Sequence, residues 1–263
     1  MRIIIIRICF WSTVLFLSGC GSSENALNLF TLEDDIALGN QVKDEIEGDS
    51  STLEVLDSSA YSTLYRYLYA IRDSLLNSGQ VKYKNDFPWR IRVIHDDSTL
   101  NAFCAPGGFI YIYTGILKYL DAEDQLAGVL GHEMGHADLR HSTRQLTQMY
   151  GVQTLIGLIA GDREFIRQVT SSLIGLSFSR AHEKEADECS VKFLCSTSYN
   201  ADAAAVFFEK IAKEGGIRPP EILSTHPDPG NRIEAYHTHK QSYGCTGASE
   251  HKERYQKMIQ TLP

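Results

Sequence analysis

The stretch GHEMGH, residues 131–136, carries two histidines four positions apart around a glutamate. On a helix that spacing puts His132 and His136 on one face, one turn apart, where two imidazoles can hold one Zn²⁺. Glu133 is turned about 100° from His132, which brings its carboxylate to the edge of the same site without making it a ligand. Gly135 adds no side chain, so another backbone or a substrate can approach closely. Taken alone, the motif fits equally well a buried helix whose histidines are satisfied by hydrogen bonds. A catalytic zinc needs three protein ligands and one open position, so the residues downstream decide.

An elongated motif with a glycine and a third histidine is absent, because Leu139 and Ser142 stand at those places. His141 falls at the wrong rotation of a continued helix to join easily. The next candidate is SRAHEKEAD, residues 179–187, where Glu183 and Asp187 are four apart and share a helix face. A carboxylate from that helix, crossing the first, can complete the metal site. The other, one turn along, can accept the free N–H of a ligand histidine, as such histidines require. The run EKEADE reads equally as a solvated, charged face.

Around these motifs the chain divides into recognisable elements. Residues 31 to about 48 form a helix opened by a Thr31–Asp34 capping box, and residues 51–77 continue in helical style. The tyrosines at 61, 65, 67 and 69 read as packing. WRIRVIHD alternates apolar and polar residues from Trp89 and reads as a strand. A second strand, Phe109 to Tyr113, follows the turn signal Pro106-Gly107-Gly108. A small antiparallel sheet is the simplest arrangement. Asp121 to about His141 is a helix, capped by Asp121 with Asp124 reaching back. Residues 143–175 are helical and apolar with a break near Gly161-Asp162, and their longest apolar run is too short to cross a bilayer. Further helices cover 179–194, 201–214 and 250–261, with a loop from Pro219-Pro220 to STHPDPGNRI. The expected fold is mainly α with a small antiparallel β-sheet, built around the HExxH helix.

The chain has 263 residues and a formal net charge of −8. That is enough to bury a full core, and the acidic balance argues against a nucleic-acid groove. The start, MRIIIIRICFWSTVLFLSGCGSS, has a short basic end, an apolar run and small residues before Cys20. It has the pattern of a secretory signal peptide, and Leu17-Ser18-Gly19-Cys20 resembles a bacterial lipobox. The resemblance implies a signal peptide over 1–19, lipidation of Cys20, a tether over 20–30 and a folded domain over 31–263. Acyl chains would hold the domain on a membrane surface. Of the other cysteines, Cys104, Cys189, Cys195 and Cys245 allow three full pairings. Cys195 with Cys245 is favoured, since both sit near element ends.

The motifs NAF…PGG, HExxH, SR..E.EAD and STHP…..R occur here in that order, from about Thr31 to Tyr236. Together they resemble the zinc metallopeptidase family that includes the CAAX prenyl proteases, HtpX and the Oma-type mitochondrial peptidase, and most of all its bacterial periplasmic branch. The resemblance implies a zincin-type fold and one zinc per chain, held by His132, His136 and Glu183. Asp187 matches the supporting aspartate. His226 and Arg232 match a His–Pro loop and an arginine over the metal, where they steady a transition state or block the open position. Cys104 interrupts the substrate-strand motif, and the cysteine set departs from the family pattern.

The implied activity is peptide-bond hydrolysis with Glu133 as general base and Arg232 and His226 near the oxyanion. The strand Asn101, Ala102, Phe103 would pair with an extended substrate. The expected setting is envelope protein quality control: a lipid-anchored endopeptidase acting on unfolded or misassembled proteins in the bacterial cell envelope, at the outer membrane facing the periplasm, because Gly21 rather than aspartate follows Cys20. The alternative is a lipid-anchored chaperone or assembly factor whose zinc is latent or structural. A serine or cysteine hydrolase is a distant third, since no GxSxG is present.

Overall fold

The computed structural model describes residues 27–48, 53–214, 220–228 and 230–263. The expected signal peptide, Cys20, residues 21–26 of the tether, Pro219 and Pro229 lie outside them.

The turn Pro106-Gly107-Gly108 organises the sheet. Gly107 and Gly108 both take positive φ, and a Cβ on Gly107 would stand 2.9 Å from Ile36 Cα. Only glycine fits there at no cost. The turn folds β3 (Phe109–Tyr113) back on β2 (Ala102–Ala105) as an antiparallel pair, while β1 (Arg90–Ile94) runs parallel to β3. The strand order is β1-β3-β2. The sheet is therefore three-stranded and mixed, which corrects the expected all-antiparallel arrangement. Residues 95–101 step across two strand spacings before β2 begins, about 10 Å, and β3 then inserts between β1 and β2. Alternation along each strand cannot reveal which neighbour a strand takes.

Both faces of the sheet are covered. Ile91, Val93, Ala102, Cys104, Ile110 and Ile112 pack in one core with α2 (Ser62–Leu76) and α4 (Glu123–Asp138). Phe103, Phe109, Tyr111 and Tyr113 pack in a second core with α1 (Leu32–Gly48) and α7 (Arg163–Ile174). Between α4 and α7 lie α5 (His141–Tyr150) and α6 (Val152–Ala160). Beyond α7 come α8 (Arg180–Cys195), α9 (Ala203–Glu214), the short α10 (Glu221–Thr225), α11 (Arg232–Ser242) and α12 (Lys252–Ile259); α3 (Thr114–Tyr119) follows β3. Among the described residues no helix is long and apolar enough to cross a membrane.

The Thr31–Asp34 box caps α1, with each residue's side chain accepting from the other's backbone N–H. Two other local expectations give way to tertiary contacts. Residues 53–60 are not helical: Val55 bridges to Ile94, and Leu56 N–H donates to Val93 O. Asp121 does not cap α4; the N–H groups of Glu123 and Asp124 donate to the Glu250 carbonyl.

The helix α4 is buried on every side. Its close crossing with α8 rests on glycines. A Cβ on Gly135 would lie 2.8 Å from Cys189 Cβ and 3.1 Å from Ala186 O, and one on Gly131 3.0 Å from Ser190 Oγ. Without side chains there, the two backbones come close enough for short side chains to meet between them.

Candidate metal centre

On α4, His132 and His136 project toward α8, which projects Glu183 and Asp187 toward them. The Nε2 atoms of the two histidines are 3.0 Å apart. Glu183 Oε1 is 3.3 Å from His136 Nε2, and Oε2 is 3.4 Å from His132 Nε2. His226, just after α10, adds Nδ1 at 3.2 Å from His132 Nε2 and 3.1 Å from Glu183 Oε1. These four residues are all buried, and their ligand atoms lie within 4.8 Å of one another.

This donor set fits a zinc ion. Four tetrahedral ligands at Zn–N and Zn–O bond lengths stand about 3.3–3.6 Å from one another, close to the separations here. Three imidazole nitrogens and a carboxylate turned inward, out of water, present lone pairs that a cation reconciles. Burial opposes the charge on Glu183, yet His226 and His132 hold its carboxyl below the usual range. Burial likewise opposes a proton on His132, but Glu183 and Asp187 raise its pKa to about 9. Burial drives His136 well down.

The surrounding groups fix these side chains. Asp187 Oδ1 lies 2.9 Å from His132 Nδ1 and accepts from Arg232 Nη2 and the Tyr236 hydroxyl, each at 2.7 Å. Arg232 Nη2 also donates to Glu183 Oε2 at 2.8 Å, and Nη1 to His226 O at 3.3 Å. Arg232 thus grips both carboxylates of α8 and the backbone of the His226 segment. Phe178 stacks on the His136 ring with centroids 3.9 Å apart. Glu133 is 1 % exposed, and neither carboxylate oxygen has a hydrogen-bond partner. Its Oε1 is 3.6 Å from His226 Nε2. A buried, unpartnered carboxylate beside a metal cluster is placed to take a proton.

The expected substrate strand lies at the edge of the sheet. Asn101 Oδ1 accepts from Ala102 N–H at 3.0 Å and from Thr225 Oγ at 3.2 Å, and Leu100 O accepts from Ile222 N–H. The His226 segment therefore hangs from the start of β2. Phe103 stacks on Tyr111 in the second core.

Sequence reasoning brought together His132, His136, Glu183, Asp187, His226 and Arg232, and missed His141 and Tyr236. His141 stands outside the four convergent ligand residues, as expected; its contact with His136 was unforeseen because the rotation argument assumes an unbroken helix. The helix ends at Asp138, and Arg140 takes a left-handed backbone (φ 58°), its guanidinium donating to Asp35 and to Phe30 O. His141 Nδ1 thereby comes 2.9 Å from His136 Nδ1. No glycine or proline marks that stop, so the sequence carries no local signal for it.

Cys195 and Cys245 form the favoured disulfide, leaving Cys104 buried and Cys189 half-buried as free thiols. Burial, then Glu133, pushes the Cys104 thiol up, which keeps it protonated.

The model of the family described as "Peptidase family M48" matches residues 63–240. The mitochondrial metalloendopeptidase OMA1 of Schizosaccharomyces pombe is 34 % identical over 155 residues, 57 % of this chain and 46 % of that protein. OMA1 of Arabidopsis thaliana is 33 % identical over 141 residues, 53 % of this chain and 29 % of the relative. The β-barrel assembly-enhancing protease of Escherichia coli is 30 % identical over 162 residues, 56 % of this chain and 33 % of the relative. The chain thus spans less than half the length of each of these relatives.

Proposed function

The chain belongs to peptidase family M48, and from that membership we propose that it is a zinc-dependent endopeptidase acting on unfolded or misassembled proteins of the bacterial cell envelope. The observation that carries this reading is the convergence of His132, His136, Glu183 and His226 beside the unpartnered carboxylate of Glu133. A bound Zn²⁺ would supply Lewis acidity, lowering the pKa of water to about 7 and polarising the scissile carbonyl. Glu133 takes the proton of the attacking water and delivers it to the leaving amine. Asp187 and Arg232 hold His132 and Glu183 in place. His226 closes the cluster at rest and leaves it to admit water and substrate.

The edge strand from Asn101 to Phe103 is buried at rest; once the His226 segment that hangs from it moves aside, its backbone receives an extended peptide, which favours unpaired polypeptides over folded ones. The bacterial relative is named for enhancing β-barrel assembly, which supports envelope proteins as substrates. A lipid on Cys20 would keep the enzyme at the membrane, and Gly21 supports the outer one.

The test is casein cleavage by the purified chain, with metal analysis, before and after chelation. Cleavage lost on chelation and restored by zinc is the expected result. The closed four-ligand cluster favours one second reading, a chaperone or assembly factor with a structural zinc. A wild-type chain that holds its metal and cuts nothing, with His226→Ala equally inactive, would establish that reading instead.

A further inference from the structure

The two histidines of α4 are supported differently. His132 Nδ1 meets a carboxylate, Asp187, directly at 2.9 Å. His136 Nδ1 meets another imidazole, His141 Nδ1, at 2.9 Å, and His141 Nε2 lies 3.0 Å from Glu185 Oε2. His141 is fully buried and stacked on His182, centroids 4.2 Å apart and planes 17° from parallel. Glu185 is partly exposed, with 27 % of its side chain accessible.

We propose that His141 and Glu185 are positioning residues that fix the tautomer of His136 and so prepare its Nε2 for the metal. This rests on the zinc site argued above. The polarity of the chain follows from which groups can donate. A carboxylate only accepts, so His141 Nε2 carries the hydrogen facing Glu185. A neutral imidazole has one N–H, so His141 Nδ1 bears a lone pair. That lone pair accepts from His136 Nδ1–H, and His136 Nε2 is left bare, facing Glu183 and His132. Reversing any link puts a hydrogen on His136 Nε2, where it would exclude a cation. Metal-bound histidines commonly need an acceptor at the far nitrogen; here that acceptor is a relay of two residues. Its existence depends on the left-handed turn at Arg140, which brings His141 beside His136.

The test compares Zn²⁺ affinity by competition with a chromogenic chelator, and the Co²⁺ absorption spectrum, across variants of the full chain. His141→Phe keeps a flat ring to stack on His182 but accepts nothing. It is expected to weaken Zn²⁺ binding about 10–100-fold and to alter the Co²⁺ spectrum. His141→Gln, whose amide oxygen can accept from His136, is expected to recover most of the loss. Glu185→Leu changes a partly exposed side chain with little risk to the core, and is expected to weaken binding in the wild-type background. In the His141→Phe background the same change has no relay to break and should add nothing, a non-additivity that general destabilisation does not produce. Equal affinities for wild type, His141→Phe and Glu185→Leu, or fully additive losses, would overturn the relay while leaving the metal site standing. A wild-type chain that takes up no metal would overturn both.

Discussion

His226 Nδ1 stands 3.1 Å from Glu183 Oε1, across 43 residues of sequence, as the fourth corner of the cluster. A hydrolase needs that corner for water and substrate, so the arrangement is a closed one. Replacing His226 by Ala is expected to keep the metal and raise cleavage of a short fluorogenic peptide roughly tenfold, since a competent state held to a minor fraction lowers activity by that fraction. A fall in rate with metal retained would instead assign His226 chiefly to the transition state.

Among the described residues Glu133 makes no hydrogen bond that the change would break. Glu133→Gln should therefore leave metal content and thermal stability close to wild type while reducing cleavage about 10²–10⁴-fold. Metal analysis and peptide turnover on the same preparation separate the two effects. Undiminished turnover would remove Glu133 from the role of base.

The crossing of α4 and α8 leaves no room for a methyl at position 135. Gly135→Ala should push the helices apart, lowering stability by about 1–3 kcal/mol and weakening metal binding, because Glu183 moves away from His132 and His136. Thermal unfolding and chelator competition read the two losses, and an unchanged melting point would mean that the crossing relaxes freely.

Asp124 is buried near the start of α4, and burial raises its pKa from 3.8 to about 7. Its folded form holds a proton that the unfolded chain releases. The stability this contributes is complete below about pH 4 and is lost as pH rises toward 7. Asp124→Asn cannot ionise, so the melting point of the variant relative to wild type should climb between pH 4 and 7 and then level off. A flat difference across that range would show that Asp124 titrates normally.

The Cys195–Cys245 bond joins the end of α8 to the segment after α11, closing a loop of 50 residues. By chain entropy such a loop is worth up to about 4 kcal/mol. Mild reduction should lower the melting point and destabilise the packing of α8, which carries Glu183 and Asp187, against α11, which carries Arg232 and Tyr236. Calorimetry with and without reductant checks this, and Cys195→Ser should match the reduced chain.

The parts of the site that sequence revealed are those with short-range geometry. The spacing of His132 and His136, and of Glu183 and Asp187, follows from helix periodicity alone. His226 and Arg232 lie 90 or more residues from the first histidine and came only from the resemblance, as no local rule ties a His–Pro loop to a metal. The helix stop at Arg140 depends on Asp35, 105 residues away, so the contact of His141 with His136 lay beyond the periodicity that found His136, although His141 stays outside the ligand set as expected. Parallel pairing of β1 with β3 and the capping of α4 by Glu250 were hidden for the same reason: each is settled by a partner distant in the chain.

The four convergent atoms come from residues 132, 136, 183 and 226, and none of them meets the others until the helices dock. A newly made copy still in extended form therefore has no assembled donor set. Docking of α4, α8 and the segment after α10 comes first, and the capacity to grip an ion arrives with it.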